Sequence, residues 1–202
     1  SFPTRRSSDL IMIRAVDIQQ LFGSQLARIE NTSLRENVVK AWVIGCQRGG
    51  YENVDQLLAM PFTLLTDCRG VTFVEHTIAV TEGSIGLAKA QHEAYRSMPY
   101  VIDMDRLIAG ALLHDVGKLV EIQQDGSGGF VKSRNGKCMR HPISGTVIAA
   151  EAGLPDEVLN IIACHAKEGE GRPQVVETVL IHLADFATFD PLVMKAKGSL
   201  IE

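Results

Sequence analysis

The sequence predicts an all-α fold, a bundle of helices packed on helices. Three observations carry that expectation. Apolar residues recur at helical spacing along most of the 202 residues. The 46% hydrophobic content rests on Ala, Leu, Ile and Val, and only 5% of the chain is aromatic, which suits close helix-on-helix packing. The one stretch with strand character, residues 119–133, is short. A chain of this length suits one main domain and buries roughly 70% of its unfolded surface, so its core needs no staples.

The elements follow in order. Residues 1–11 open polar and aperiodic and are expected to be a non-native or disordered leader, with Met12 as a native start. Residues 16–30 carry Ile18, Leu21, Phe22, Leu26 and Ile29 at helical spacing, and residues 34–46 continue in the same way. A short helix at 54–60 should end at Pro61, and 62–71 reads as a loop punctuated by Thr, Asp, Arg and Gly. Residues 73–95 form a long helix with His76, Val80, Gly83, Leu87 and Ala90 on one stripe. Asp103 or Asp105 caps the next helix, which runs through Leu107, Ala111 and His114 to Gly117. At 119–133 two apolar runs flank Asp125-Gly126-Ser127-Gly128-Gly129, so a small β-hairpin competes with an exposed loop. Helical patterns return at 142–152, at 155–166 with Pro155 in the favoured first turn, and at 174–188. The organisation expected is an N-terminal helical segment, 12–61, packed on a main domain, 62–202.

Charge and punctuation exclude several classes. A net charge of −4 with no Lys/Arg stripe argues against nucleic-acid binding as the main role. The longest clean apolar run, residues 107–113, is too short for a bilayer, and no secretory signal is visible. Cys46, Cys68, Cys138 and Cys164 lie far apart with no C-x-x-C pair, which indicates free thiols in a reducing compartment. A cytoplasmic protein is the expectation.

Ionisable residues fall on the apolar stripes of these helices: His76, the pair His114-Asp115, His141, His165 and Asp185. A buried carboxylate is costly unless paired or bound to metal. Each of these residues sits near an end of a different predicted helix, so a bundle could gather them into one pocket. Imidazole and carboxylate together suit iron, manganese, zinc or nickel, and helical bundles commonly build such sites from facing helices. His92 reads as solvated and His182 as a hydrogen-bonded histidine outside the set.

The order H … HD … D resembles the HD-domain superfamily. Leu112-Leu113-His114-Asp115-Val116-Gly117-Lys118 is similar to its central signature, His76 supplies the upstream histidine and Asp185 the terminal aspartate. The two further histidines, His141 and His165, resemble the subgroup that adds them between HD and D, including HDIG-type phosphohydrolases. The resemblance implies an HD-domain bundle with two divalent metal ions, Fe or Mn first and Zn, Ni, Co or Mg as alternatives. It implies that His76, His114, Asp115 and Asp185 hold one ion, and that Asp115 bridges to a second held by His141 and His165. Four neutral histidines and two carboxylates then bring about −2 against about +4, so the pocket favours a small anionic, phosphorylated substrate. Asp115 and Lys118 are the expected catalytic residues, with Lys118, Arg140, Lys167 and Arg172 as substrate contacts.

The function implied is a metal-dependent phosphohydrolase acting on a nucleotide or other small phosphoester. The same ligand order also occurs in mixed-valent diiron oxygenases of the myo-inositol oxygenase or organophosphonate-cleaving type, which is the alternative. The N-terminal helices are compatible with a lid, a cover or a homo-oligomer contact.

Overall fold

The computed structural model describes residues 13–201, so the expected leader at 1–11 and the start at Met12 lie outside the described residues. Eleven α-helices are placed among them: α1 (Ala15–Leu21), α2 (Gly23–Leu26), α3 (Thr32–Gly49), α4 (Val54–Ala59), α5 (Phe73–Ala94), α6 (Met104–Leu113), α7 (Lys118–Glu121), α8 (Arg134–Cys138), α9 (His141–Ala152), α10 (Asp156–Cys164) and α11 (Val176–Ala196). A 3₁₀ turn at Lys167–Gly169 follows α10. The two strands, β1 (Ile122–Gln124) and β2 (Phe130–Lys132), pair antiparallel with Gln123 opposite Val131. The all-α expectation holds, and the small hairpin is present.

Local chemistry sets most boundaries. Thr72 and Glu75 form a reciprocal capping box that starts α5, and Asn31, Asn53 and Asp103 accept the amides of Leu34, Gln56 and Arg106 at the starts of α3, α4 and α6. Asp103 is therefore the cap of α6. Asp105 instead accepts the Glu30 and Asn31 amides, both at 2.7 Å, and ties the α2–α3 connection to α6. Gly50 and Gly153 stop α3 and α9 in the left-handed conformation.

Four expectations need correction. Residues 16–30 do not make one helix: the chain breaks at Phe22, which turns its ring inward onto Trp42 at 4.7 Å. Val120 and Glu121 belong to the helical turn α7 rather than to the first strand, because their amides reach back to the Gly117 carbonyl. Pro155 stands at the N-cap of α10, one position before the helix. The last helix runs on to Ala196 with Pro191 inside it, well past the apolar pattern that ended at 188.

Trp42 organises the interior. Its ring is fully buried between Phe22 and Phe73, and its indole N–H donates to the Leu112 carbonyl at 3.0 Å. Because α6 ends at Leu113, that carbonyl has no partner from its own helix, and the indole supplies one. The bond pins α3 on α6 immediately before His114. Around it, α5 lies along both α6 and α11, and α9 lies along both α3 and α10. No helix of the described residues is long and apolar enough to cross a membrane.

Candidate metal centre

Helix ends deliver His76, His114, Asp115, His141 and His165 to one place, whereas Asp185, expected near a helix end, comes from the middle of α11 because that helix runs on to Ala196. His114 is the C-cap of α6 and His165 the C-cap of α10. Each ring turns back on its own helix: His114 Nδ1 lies 2.7 Å from the Ala111 carbonyl and His165 Nδ1 2.9 Å from the Ile162 carbonyl. A carbonyl only accepts, so Nδ1 carries the proton in both rings and Nε2 presents a lone pair. His141 opens α9, and its Nδ1 lies 3.0 Å from the Glu121 carboxylate. His76, in the first turn of α5, has Nδ1 3.2 Å from the Thr188 hydroxyl. That hydroxyl donates to the Asp185 carbonyl and so accepts from the ring. Every one of the four imidazoles is thereby oriented with Nε2 inward.

The four Nε2 atoms converge on Asp115, and its two oxygens divide them. Oδ2 is 3.4 Å from both His76 and His114, while Oδ1 is 3.2 Å from His141 and 3.5 Å from His165. Asp185 Oδ1 joins the first group, 3.2 Å from His76 Nε2. Two overlapping sets result, His76–His114–Asp115–Asp185 and Asp115–His141–His165, each with ligand atoms within 4.8 Å of one another.

The arrangement fits metal ions. His76, His114 and His165 Nε2 and Asp115 Oδ1 are buried and make no hydrogen bond. With their outer nitrogens protonated these are acceptors facing acceptors, which is unfavourable in a dry interior unless a cation stands between them. Nitrogen and oxygen donors in this number suit a divalent transition metal.

The electrostatics prepare the carboxylates. Burial opposes ionisation of Asp115, but the Lys118 ammonium and the surrounding imidazoles outweigh it and hold the carboxyl well below the usual range. Asp185 is likewise buried, yet the neighbouring His76 and His114 imidazoles hold it at about 2. Glu121, against its own burial, is held at about 2 by His141. Asp115 and Asp185 are therefore anionic at neutral pH, the form in which a carboxylate could hold a cation.

A cleft of about 330 Å³ opens over Asp115 and is lined by Phe62, Leu64, Leu65, Lys118, Arg140, Lys167, Asp185, Phe186 and Phe189, among others. Lys118 Nζ is 2.5 Å from Asp115 Oδ2 and lies over the Phe62 ring. Phe62 in turn stacks on His76 with centroids 4.2 Å apart. Of the expected substrate contacts, Lys118, Arg140 and Lys167 border the cleft, with Arg140 also paired to Glu168 at 3.2 Å. Arg172 does not: it is exposed beyond the 3₁₀ turn and is absent from the cleft lining. His92 is exposed, and His182 sits behind the set, its Nδ1 2.6 Å from the His165 carbonyl. Glu121, Thr188 and Phe62 were not singled out from sequence, because nothing in their local pattern marks them; only the histidines they touch do.

A helical bundle that gathers a buried histidine–aspartate cluster defines a class of proteins with a candidate metal site. The chain belongs to the HD domain family, whose model matches residues 73–187 and so spans all six clustered residues. Among curated relatives, dihydroneopterin 2′,3′-cyclic phosphate phosphodiesterase of Methanocaldococcus jannaschii is 31% identical over 117 residues, 56% of this chain and 45% of that protein. Ribonuclease Y of Pseudothermotoga lettingae is 31% identical over 116 residues, 57% of this chain and 18% of that protein. The chain thus spans less than half the length of these relatives. No solved structure matches it.

Proposed function

We propose that this protein is a metal-dependent phosphohydrolase that cleaves a small phosphoester, with two divalent ions, Fe or Mn first, as its cofactors. One observation carries the reading: the Asp115 carboxylate shows one oxygen to each of two ligand sets. Zn, Ni, Co and Mg are the further metals to assay. Ions held there supply an acidified water and polarise a phosphoryl oxygen, which is the chemistry ester hydrolysis needs.

The chain's own residues do the rest. Lys118, one turn after His114, reaches the cleft floor and is placed to neutralise a phosphate oxygen. Arg140 and Lys167 add positive charge on the rim. Phe186, Phe189, Leu64 and Leu65 give an apolar wall for the non-phosphate part of the substrate and reduce water access to the ester. One relative is named as a 2′,3′-cyclic phosphate phosphodiesterase and the other as a ribonuclease, so a cyclic or linear phosphodiester of nucleotide size is the first substrate to test. The oxygenase alternative gains nothing from either. Cysteines that are all free among the described residues suit a reducing compartment, and we place the protein in the cytoplasm.

The test is metal analysis of the purified chain, followed by assays on bis-p-nitrophenyl phosphate and 2′,3′-cyclic nucleotides, in air and under nitrogen. Hydrolysis that needs metal and ignores oxygen supports the reading. Oxygen-dependent turnover without ester cleavage, or no cleavage by the fully metallated protein, overturns it.

A further inference from the structure

We infer that Glu121 is a positioning residue for the second ligand set, Asp115–His141–His165, and that the β-hairpin exists in part to hold it there. The inference rests on the two-ion part of the reading above and not on the substrate class.

Glu121 is the last residue of α7 and is 9% exposed. One oxygen, Oε2, accepts two bonds from the same residue, the His141 amide at 2.7 Å and its ring Nδ1 at 3.0 Å. Arg140, the N-cap of α9, offers no side-chain cap, so the carboxylate takes that place and fixes main chain and ring together. The His141 ring is then set with Nε2 toward Asp115 Oδ1. The other three imidazoles lean on neutral partners, the carbonyls of Ala111 and Ile162 and the Thr188 hydroxyl. Only His141 among the four has an anion behind it, which strengthens it as a ligand. The second set has three residues against four in the first, so each matters more.

The surroundings of Glu121 are built to keep it still. The Ser133 amide donates to its carbonyl at 2.8 Å, just past β2, and Lys132 Nζ stands 3.5 Å from Oε1. Gly136 in α8 passes so close that a Cβ there would meet the Glu121 carbonyl at 2.5 Å and its Cγ at 2.7 Å. Hairpin and α8 together hold the Glu121 main chain and stem, with Lys132 facing the carboxylate.

The experiment is Mn²⁺ titration of the metal-free chain by calorimetry and electron paramagnetic resonance, comparing wild type with Glu121→Gln. Gln keeps the size and still accepts the His141 amide, but removes the charge. Wild type should bind two ions and show a spin-coupled signal. In the variant the weaker site should lose about 10- to 100-fold in affinity, the tighter site should be unchanged, and the signal should become that of an isolated ion. Thr188→Val, which touches His76, should do the reverse. Unchanged affinities, equal loss at both sites, or a variant that unfolds before metal is added would each overturn the positioning role, as would a wild type that binds one ion. A two-ion protein inert toward phosphodiesters would instead overturn the functional reading alone.

Discussion

Asp115 holds Lys118 at 2.5 Å through the same Oδ2 that faces His76 and His114. One buried carboxylate therefore serves both ligand sets and anchors the cation nearest the cleft floor. Its loss should be felt everywhere in the site at once.

Asp115→Ala is expected to bring bound metal to background and to abolish turnover. A stabilising ligand raises stability by about 2.7 kcal/mol at 100 times its dissociation constant. Added Mn²⁺ should accordingly raise the melting temperature of wild type and leave that of Asp115→Ala where it was. Two ions retained by the variant would contradict the shared-carboxylate geometry.

Lys118→Met separates chemistry from metal binding. The ammonium is not a metal ligand, so the variant should keep its metal. It should lose about 10²- to 10³-fold in kcat, the usual cost of removing one donor to developing charge, and Lys118→Arg should recover part of that. Unchanged turnover would return Lys118 to a merely structural partner of Asp115.

The sequence exposed the candidate ligand set because each member is an ionisable residue on an apolar stripe, a placement that costs energy unless something compensates it. His114 and His165 could be read that way because each stands where an apolar helical run ends. Their orientation could not. It depends on carbonyls three residues back, on Glu121 twenty positions before His141, and on Thr188, which lies 112 positions from His76. Such bonds join elements that only the folded chain brings together. The break at Phe22 was hidden for a similar reason: the residues on either side keep helical spacing, and the ring turns inward because Trp42 is there. Arg172 shows the converse: it is near His165 in sequence, yet it is exposed and outside the cleft lining.

Gly117 closes the turn between the HD pair and α7 at a point where no side chain fits. A Cβ there would lie 2.1 Å from the His141 carbonyl oxygen and 2.6 Å from the Gly145 amide, both main-chain atoms of α9 that cannot swing aside. Gly117→Ala should push α9 away from Asp115. Overpacking of this kind costs roughly 1–3 kcal/mol. With about 2–4 °C per kcal/mol for a chain of this size, calorimetry should show the metal-free protein melting roughly 2–12 °C lower. Gly86, inside α5 with open space at its Cβ, is the control: Gly86→Ala should raise stability by about 0.5–1 kcal/mol. Equal behaviour of the two would refute the close approach.

Alkaline pH should act on buried groups of α3 and the segment that follows it. Cys46 is fully buried in α3, and that burial pushes its thiol up to about 12 from 9.0. Tyr51, whose hydroxyl meets Met60 Sδ, is raised in the same direction by burial and by Cys46. A folded-state value above the unfolded one means the unfolded chain loses its proton first. The contribution is complete below pH 9 and is lost as pH rises from there toward 12, at about 1.4 kcal/mol per pH unit for one thiol. Urea unfolding at pH 8, 9, 10 and 10.5 should show wild type weakening more steeply than Cys46→Ala over the last interval. In parallel, a thiol reagent at pH 8 should label exposed Cys138 in the native protein and reach Cys46 only after unfolding. Native labelling of Cys46 as fast as Cys138 would mean that α3 does not stay seated on α6.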